Sequence, residues 1–266
     1  MRTSILKELS PGHPWGEYLL FFNSIESTNT HARTLAKEGA PHGTVLIADR
    51  QTGGRGRLGR GFHSPGGSGV YFTVILRPCC HASELMHLTC AAAVAACDAV
   101  EAVTGLRPGI NWTIDLVCGT RKLGGILTEL GLNPDGTVDY AIIGMGINCC
   151  QQEQDFPEEI RTIAASLAMV TGKTVSRSRL AAALIEACFR MDQILLTAKE
   201  ELLRRYRRGC VTLGREISLV RADGRIHHGR ALDIDREGAL IVAHDDGHLE
   251  TVSSGEVSIR GMYGYL

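Results

Sequence analysis

The chain has 266 residues, enough for one sizeable domain with its own core and a second, small one. A formal net charge of −1 at pH 7 gives no electrostatic case for general binding to nucleic acid or an anionic membrane, so any phosphate chemistry must be local. Nine cysteines make an odd count, include the neighbours Cys79-Cys80 and Cys149-Cys150 and form no C-x-x-C, which points to a reduced, cytoplasmic chain.

No cationic stretch followed by an apolar one opens the sequence, so no secretory leader is expected. Residues 1–20 carry Pro11, Gly12 and Pro14 and read as a short lead-in, too few for a winged helix-turn-helix. A helix then runs to about Glu38, with Ser27, Thr28 or Asn29 placed to cap it. Apolar runs at 44–48, 70–76, 123–130 and 138–147 predict strands, and 84–104, 158–171 and 178–208 predict helices. The most apolar long stretch, Leu85–Val103, contains His87, Asp98 and Glu101 and is rich in alanine, which suits a buried helix better than a membrane span. Beyond Gly209 the texture changes to short alternating runs broken by Asp223-Gly224, Glu237-Gly238 and Asp245-Asp246-Gly247. This is a small all-β module, and the boundary falls near 209–213, giving a catalytic domain over 1–211 and a β domain over 212–266.

Between the strands at 44–48 and 70–76 lies Gly54-Arg55-Gly56-Arg57-Leu58-Gly59-Arg60. Glycines leave backbone N–H groups free and let the chain approach a ligand, while arginines offer planar multi-donor forks for phosphate or carboxylate. A solvated basic turn is the alternative. The stretch satisfies G-x-G-x-x-G, but strand and loop follow it instead of the helix that would hold a pyrophosphate. No acidic residue stands between Gly59 and Glu84 to take a ribose, which excludes a dinucleotide fold.

This loop is one of four motifs that occur in order: Glu26-Ser27-Thr28-Asn29, Gln51-Thr52-Gly53-Gly54-Arg55-Gly56-Arg57, Arg121-Lys122-Leu123-Gly124-Gly125-Ile126-Leu127-Thr128-Glu129 and Gly144-Met145-Gly146-Ile147-Asn148. Together they closely resemble biotin protein ligase from about Phe22 onward. The terminal module resembles that family's SH3-like domain, notably in Gly238-Ala239-Leu240 and Gly255-Glu256-Val257-Ser258. The resemblance implies an α+β class II synthetase-like domain, a mixed sheet with packed helices, followed by a small β barrel. It implies biotin, ATP and Mg2+, formation of biotinyl-5′-AMP, and transfer to a lysine of a biotin carboxyl carrier domain. The family's attached DNA-binding domain is not expected here, nor direct DNA binding; a homodimer is common in such proteins.

Carried onto this sequence, the resemblance puts Arg55 and Arg57, supported by Arg60, at the phosphates, where positioned cations offset the charge of a carboxylate attacking an α-phosphate. Ser27, Thr28 and Gln51 match the positions that hydrogen-bond the ureido ring of biotin, with Asn29 beside them and backbone at Gly54, Arg55 and Gly125 joining; Gly124 and Trp112 are also expected among the ligand-binding residues. Gly144 and Gly146 would let the ligand approach the backbone, and Asn148 matches a position on the adenine side. Each has a plain reading too: a helix cap at 27–29 and a bulge at the glycine pair.

One segment departs from the family. Where Lys-Trp-Pro-Asn-Asp is usual, this chain has Asn111-Trp112-Thr113-Ile114-Asp115. The lysine exchanged for Asn111 is one the family sets beside the carboxylate and α-phosphate. Lys122 matches a second family lysine. Trp112 is kept, and so is Asp115, as a metal ligand, an orienting group or a buried structural carboxylate. The alternatives are a biotin-binding relative with impaired adenylation, acting as a sensor, and a lipoate or octanoate enzyme, the latter a transferase working through Cys149 or Cys150. Arg204-Arg205-Tyr206-Arg207-Arg208 reads as cations complementing a helix C-terminus. The ten histidines and nine cysteines show no paired zinc-ligand spacing.

Overall fold

The structure, a computed structural model, describes residues 1–221, 224–253 and 257–260. Its elements in chain order are α1 (Arg2–Glu8), β1 (Leu19–Phe22), α2 (Thr28–Lys37), β2 (Thr44–Ala48), β3 (Gly69–Leu76), α3 (Leu88–Thr104), β4 (Gly109–Asn111), β5 (Asp115–Cys118), β6 (Arg121–Leu132), β7 (Val138–Asn148), α4 (Glu158–Arg161), α5 (Leu167–Thr171), α6 (Arg177–Ile194) and α7 (Lys199–Gly209). The small module adds β8 (Glu216–Arg221), β9 (Ile226–Ile234), β10 (Leu240–Ala243), β11 (Leu249–Val252) and β12 (Val257–Arg260).

The apolar run of β3 is buried at every position, as a strand covered on both faces must be. It sits inside a seven-stranded sheet of order β1-β2-β3-β7-β6-β5-β4, mixed because β1 runs parallel to β2 while the remaining pairs are antiparallel. Side chains alternate between the faces. Val45, Val74 and Ile143 join the large core beneath α3 and α6, whereas Leu46, Ile75 and Ile142 pack with Ala32 and Ala36 of α2 on the other face. The helical segment Ala82–Thr104, which ends in α3, is long and apolar enough to cross a membrane by composition, yet eleven residues of α3, from Leu88 to Val100, are buried in that core. The small module is a five-stranded antiparallel sheet of order β11-β10-β9-β8-β12, with Ile217, Leu219, Ala231, Leu240 and Val242 turned inward.

Several sequence expectations change. Residues 1–20 hold α1 and the start of β1, anchored by Ile5, Leu9 and Trp15 in the core; no room is left for a side chain at Gly43, where a Cβ would stand 2.1 Å from the Trp15 ring. The helix expected at 158–171 is two short ones, because the backbone between them pairs with β6: Lys122 N donates to Ile163 O at 2.7 Å and Ala165 N to Lys122 O at 2.9 Å. The helix expected at 178–208 breaks after Ile194, where the Leu195 carbonyl accepts from His87 Nε2 at 2.8 Å. Strands β4 and β5 were too short to show a period. Ser27 is the cap of α2, its hydroxyl accepting from Thr30 N at 3.4 Å. Asp223 and the Gly255-Glu256 part of the terminal motif lie outside the described residues.

Candidate active site

The N-terminus of α2 meets the sheet where two rungs of residues cross it. Asn111, Asp115, Gly125, Gly146 and Tyr71 are successive partners across β4, β5, β6, β7 and β3, and two residues along lies the rung of Leu127, Gly144 and Thr73. Alternation along a strand puts the members of both rungs that share β6, β7 or β3 on one face, the face that α2 covers. Glycines at 125, 144 and 146 leave that face low, and a cavity of about 510 Å³ opens above it.

At the α2 end, polar groups are bound to one another. Thr28 donates to Gln51 Oε1 from its amide at 2.8 Å and its hydroxyl at 3.0 Å. Gln51 Nε2 donates to Ser64 Oγ at 3.0 Å, and Thr73 Oγ1 lies 2.8 Å from both Thr28 Oγ1 and Asn29 Oδ1. Asn29 Nδ2 donates to Glu129 Oε2 at 3.0 Å. Buried amide and hydroxyl groups so arranged form a satisfied network that keeps each side chain in one orientation.

The glycine-arginine loop folds over the other side. Its ends pair through Gly56 N to Arg60 O at 2.7 Å and Phe62 N to Gly54 O at 2.9 Å, and Gly59, at φ +74°, closes the short turn between. Arg57 Nη1 donates to Thr113 Oγ1 at 2.9 Å. Burial lowers the pKa of Arg57, opposed by the Asp115 carboxylate and reinforced by Arg60; a guanidinium stays charged all the same. Arg55, more exposed, approaches Glu129 at 3.5 Å. Across from the loop, Lys122 Nζ lies 2.5 Å from Asp115 Oδ1. Four cations therefore border one cavity, a charge pattern suited to a polyphosphate.

Of the residues expected at the site, Ser27, Thr28, Asn29, Gln51, Arg55, Arg57, Arg60, Asn111, Trp112, Asp115, Lys122, Gly125, Gly144, Gly146 and Asn148 all border this cavity. Gly54 and Gly124 do not: a Cβ at Gly54 would fall 2.4 Å from Phe62 O, and one at Gly124 2.5 Å from Gly146 O, so both are needed for chain-to-chain contact. Gly144 and Gly146 have partners in the fold as well. A Cβ at Gly144 would stand 1.9 Å from Asn29 Oδ1, and one at Gly146 2.5 Å from the Phe62 ring. Sequence reading missed Phe62, Tyr71, Thr113 and the wall from Phe156 to Ala164; Tyr71 was within reach, two residues from Thr73 on the strand paired with Gly146. Asn148 is held by donating to Ala165 O at 3.0 Å.

Asn111 is turned to the domain junction. Its Oδ1 accepts from Thr212 Oγ1 at 2.9 Å, and the same hydroxyl accepts from Trp112 N at 2.9 Å. The indole of Trp112 donates to Gly238 O at 3.1 Å, and Tyr206 OH to Thr113 O at 3.2 Å. Cys149 and Cys150 are not at the cavity; burial pushes the Cys149 thiol up, Cys150 adding to it, the opposite of an activated nucleophile.

The profile of the Biotin/lipoate A/B protein ligase family matches residues 21–148, and that of the Biotin protein ligase C terminal domain matches residues 212–260. The bifunctional ligase/repressor BirA of Bacillus spizizenii is 33% identical over 246 residues, covering 92% of this chain and 74% of that protein. The chain belongs to the biotin/lipoate A/B protein ligase family. Within it, both domains of the biotin protein ligases are present, and the chain is an ATP-dependent ligase of that kind. The biotin–[acetyl-CoA-carboxylase] ligase of Mycobacterium tuberculosis is 30% identical, over 87% of this chain and 85% of that one. Among solved structures, the biotin protein ligase of Aquifex aeolicus in complex with biotin and ATP superposes with a TM-score of 0.76 at 28% identity, over 91% of this chain and 98% of that chain.

Proposed function

We propose that this ligase joins biotin to ATP as biotinyl-5′-AMP and then passes the biotinyl group to a lysine of a biotin carboxyl carrier domain. In the first step a biotin carboxylate oxygen bonds to the α-phosphorus while the bond from that phosphorus to the bridging oxygen breaks and pyrophosphate leaves. In the second, the carrier amine attacks the acyl carbon, AMP departs with the bonding electron pair, and the amine gives up a proton. The observation that carries this reading is the joining, in one cavity, of the Thr28–Gln51 hydrogen-bond cluster to the cations Arg55, Arg57, Arg60 and Lys122.

Thr28, Gln51 and Ser27 would hold the ureido ring, Asn29 bracing Thr73 behind them. Arg57 and Lys122 would flank the reacting carboxylate and α-phosphate, where preorganised cations need no rearrangement as charge shifts; Arg55 and Arg60 would meet the outer phosphates, and Asn148 and the wall from Phe156 to Ala164 the adenine side. Asn111 and Trp112 would shape the floor. The loop would shield the mixed anhydride from water. Magnesium arrives with ATP. Asp115 is the cavity carboxylate such an ion would meet, but a single carboxylate already paired with Lys122 is better assigned to orienting that lysine. Lys122 matches a lysine the family has in addition and so does not replace the charge exchanged at Asn111; the cations Arg55, Arg57, Arg60 and Lys122 together in the cavity are what favour catalysis over a sensor.

The carrier assignment is supported by the similarity to the biotin–[acetyl-CoA-carboxylase] ligase, and a division of the chain at 211/212 by the C-terminal profile, which begins at residue 212. The nine unpaired cysteines support a cytoplasmic setting. We assign no nucleic-acid surface to the arginines of α7, because Arg205 pairs with Asp98 at 2.6 Å and Arg207 with Asp233 at 3.1 Å. The deciding experiment is biotin- and MgATP-dependent pyrophosphate release, with the product mass measured and lipoate and octanoate as controls. Biotinyl-adenylate is expected; biotin binding without it, or preference for a control acid, would overturn the assignment.

A further inference from the structure

We propose that the β10–β11 hairpin of the small module carries a site for a divalent transition cation of the zinc class, built from His244, His248 and Glu250. One ligand atom from each lies within 4.8 Å of the other two. Around zinc, ligand–metal bonds of about 2.0–2.1 Å put tetrahedral ligands roughly 3.4 Å apart, so a small side-chain adjustment closes the triad. No paired ligand spacing shows in the sequence; a hairpin supplies it, since His244 directly follows β10, His248 follows the turn and Glu250 lies on β11 opposite Val242.

The outer contacts are those that ligands need. His244 Nδ1 lies 3.1 Å from His228 O, which leaves Nε2 facing Glu250 Oε2 at 2.8 Å. His248 Nδ1 lies 2.5 Å from Asp246 Oδ1, which leaves its Nε2 for a metal. A ligating imidazole characteristically gives its other N–H to a carboxylate or a backbone carbonyl, and both cases occur here. Arg221 binds Glu250 through Oε1, so Oε2 is the oxygen directed at the site. Both nitrogens of His244 face acceptors, an arrangement that either an imidazolium or a metal ion at Nε2 completes. The His244 and His248 rings are now stacked 4.1 Å apart, and coordination requires the ring of His248 to turn. Its side chain is 57% exposed and has room to do so. Two imidazoles and one carboxylate favour zinc, nickel or cobalt over magnesium, and with three protein ligands at the surface the remaining positions would be water.

The bound ion would join the two strands of the hairpin and, through His228 O and Arg221, tie them to β9 and β8. The test is equilibrium dialysis of the EDTA-stripped full chain against Zn2+ at micromolar concentration, with cysteines blocked so that thiols do not compete. One equivalent is expected. Asp246→Asn should weaken zinc by about 10–100-fold, and His248→Ala and Glu250→Gln by more, in proteins whose far-ultraviolet circular dichroism is unchanged. Zinc should also raise the melting temperature of the parent chain and not of His248→Ala. Stoichiometric binding that survives both ligand substitutions, or no binding by the thiol-blocked parent, would overturn the site.

Discussion

Lys122 and Asp115, on neighbouring strands, form an ion pair of 2.5 Å on the wall of the cavity, with Gly125 beside them. A Cβ at Gly125 would stand 3.4 Å from Lys122 Cε and 3.5 Å from Asp115 Oδ1, so the pair lies directly against the glycine. If this lysine is the cation that serves the α-phosphate, Lys122→Met should slow adenylate formation by about 10²–10³-fold, the cost typical of losing one preorganised electrostatic group, while biotin affinity changes far less. Single-turnover pyrophosphate release and calorimetric biotin binding separate the two, and an unchanged rate would remove Lys122 from the chemistry.

Asn111→Lys tests whether the unusual residue is a defect or an adaptation. Restoring the common lysine deletes the acceptor of Thr212 Oγ1 and leaves buried groups unpaired, at a cost of about 1–3 kcal/mol. We expect no gain in adenylation rate and a lower unfolding midpoint. A faster enzyme would mean that the site still wants a cation at 111.

Thr113 stands where the family has proline, and its hydroxyl receives Arg57. Thr113→Val should loosen the arginine and lower the adenylation rate, and Thr113→Ser should restore it. Trypsin gives a second reading, since cleavage at Arg57 and Arg60 of the ligand-free chain should quicken in the valine variant alone. Equal rates and equal cleavage in all three would leave Arg57 positioned by other contacts.

How much of this could be read in the sequence depended on range. Motif residues at 27–29, 51–60, 121–125 and 144–148 converge because sheet register and the N-terminus of α2 bring them together, and it was the resemblance of the ordered motifs to biotin protein ligase that implied it. The wall from Phe156 to Ala164 was hidden because its helical pattern gives way to pairing with Lys122, a tertiary choice with no local mark. The break after Ile194 depends likewise on His87, far away in sequence. Gly144 was read as making space for a ligand, whereas its missing side chain first makes space for Asn29; a glycine pattern shows that room is needed without showing who takes it.

Gly144→Ala follows from that contact. A methyl 1.9 Å from Asn29 Oδ1 must push aside an amide fixed by Thr73, Leu127 and Glu129. Biotin affinity should fall along with stability. Adding Asn29→Ala should cost less than the sum of the two single changes, because the clash is then gone; strict additivity would show that the two residues are uncoupled.

Thr28→Val keeps shape and removes the hydroxyl that meets Gln51 and Thr73. Biotin binding should weaken by about 1–3 kcal/mol as a ureido group loses its partner, with little change in the affinity for ATP alone. Equal biotin affinity would take Thr28 out of the pocket.

Two buried histidines contribute to the acid side of the stability profile. His87 is fully buried, its Nε2 on the Leu195 carbonyl and its Nδ1 without a partner; burial lowers its pKa, the carbonyl bond opposing. Burial lowers that of His13 too, Glu186 opposing. Unfolded, each titrates near the ordinary value of about 6.5, so below that pH the unfolded chain binds protons that the folded chain resists. Stability should therefore fall as pH drops from about 6.5 toward 5, by at most about 1.4 kcal/mol per pH unit for each histidine. Urea midpoints measured across this window should show a shallower slope for His87→Gln than for the parent; parallel slopes would mean that His87 finds a proton as easily in the fold as outside it.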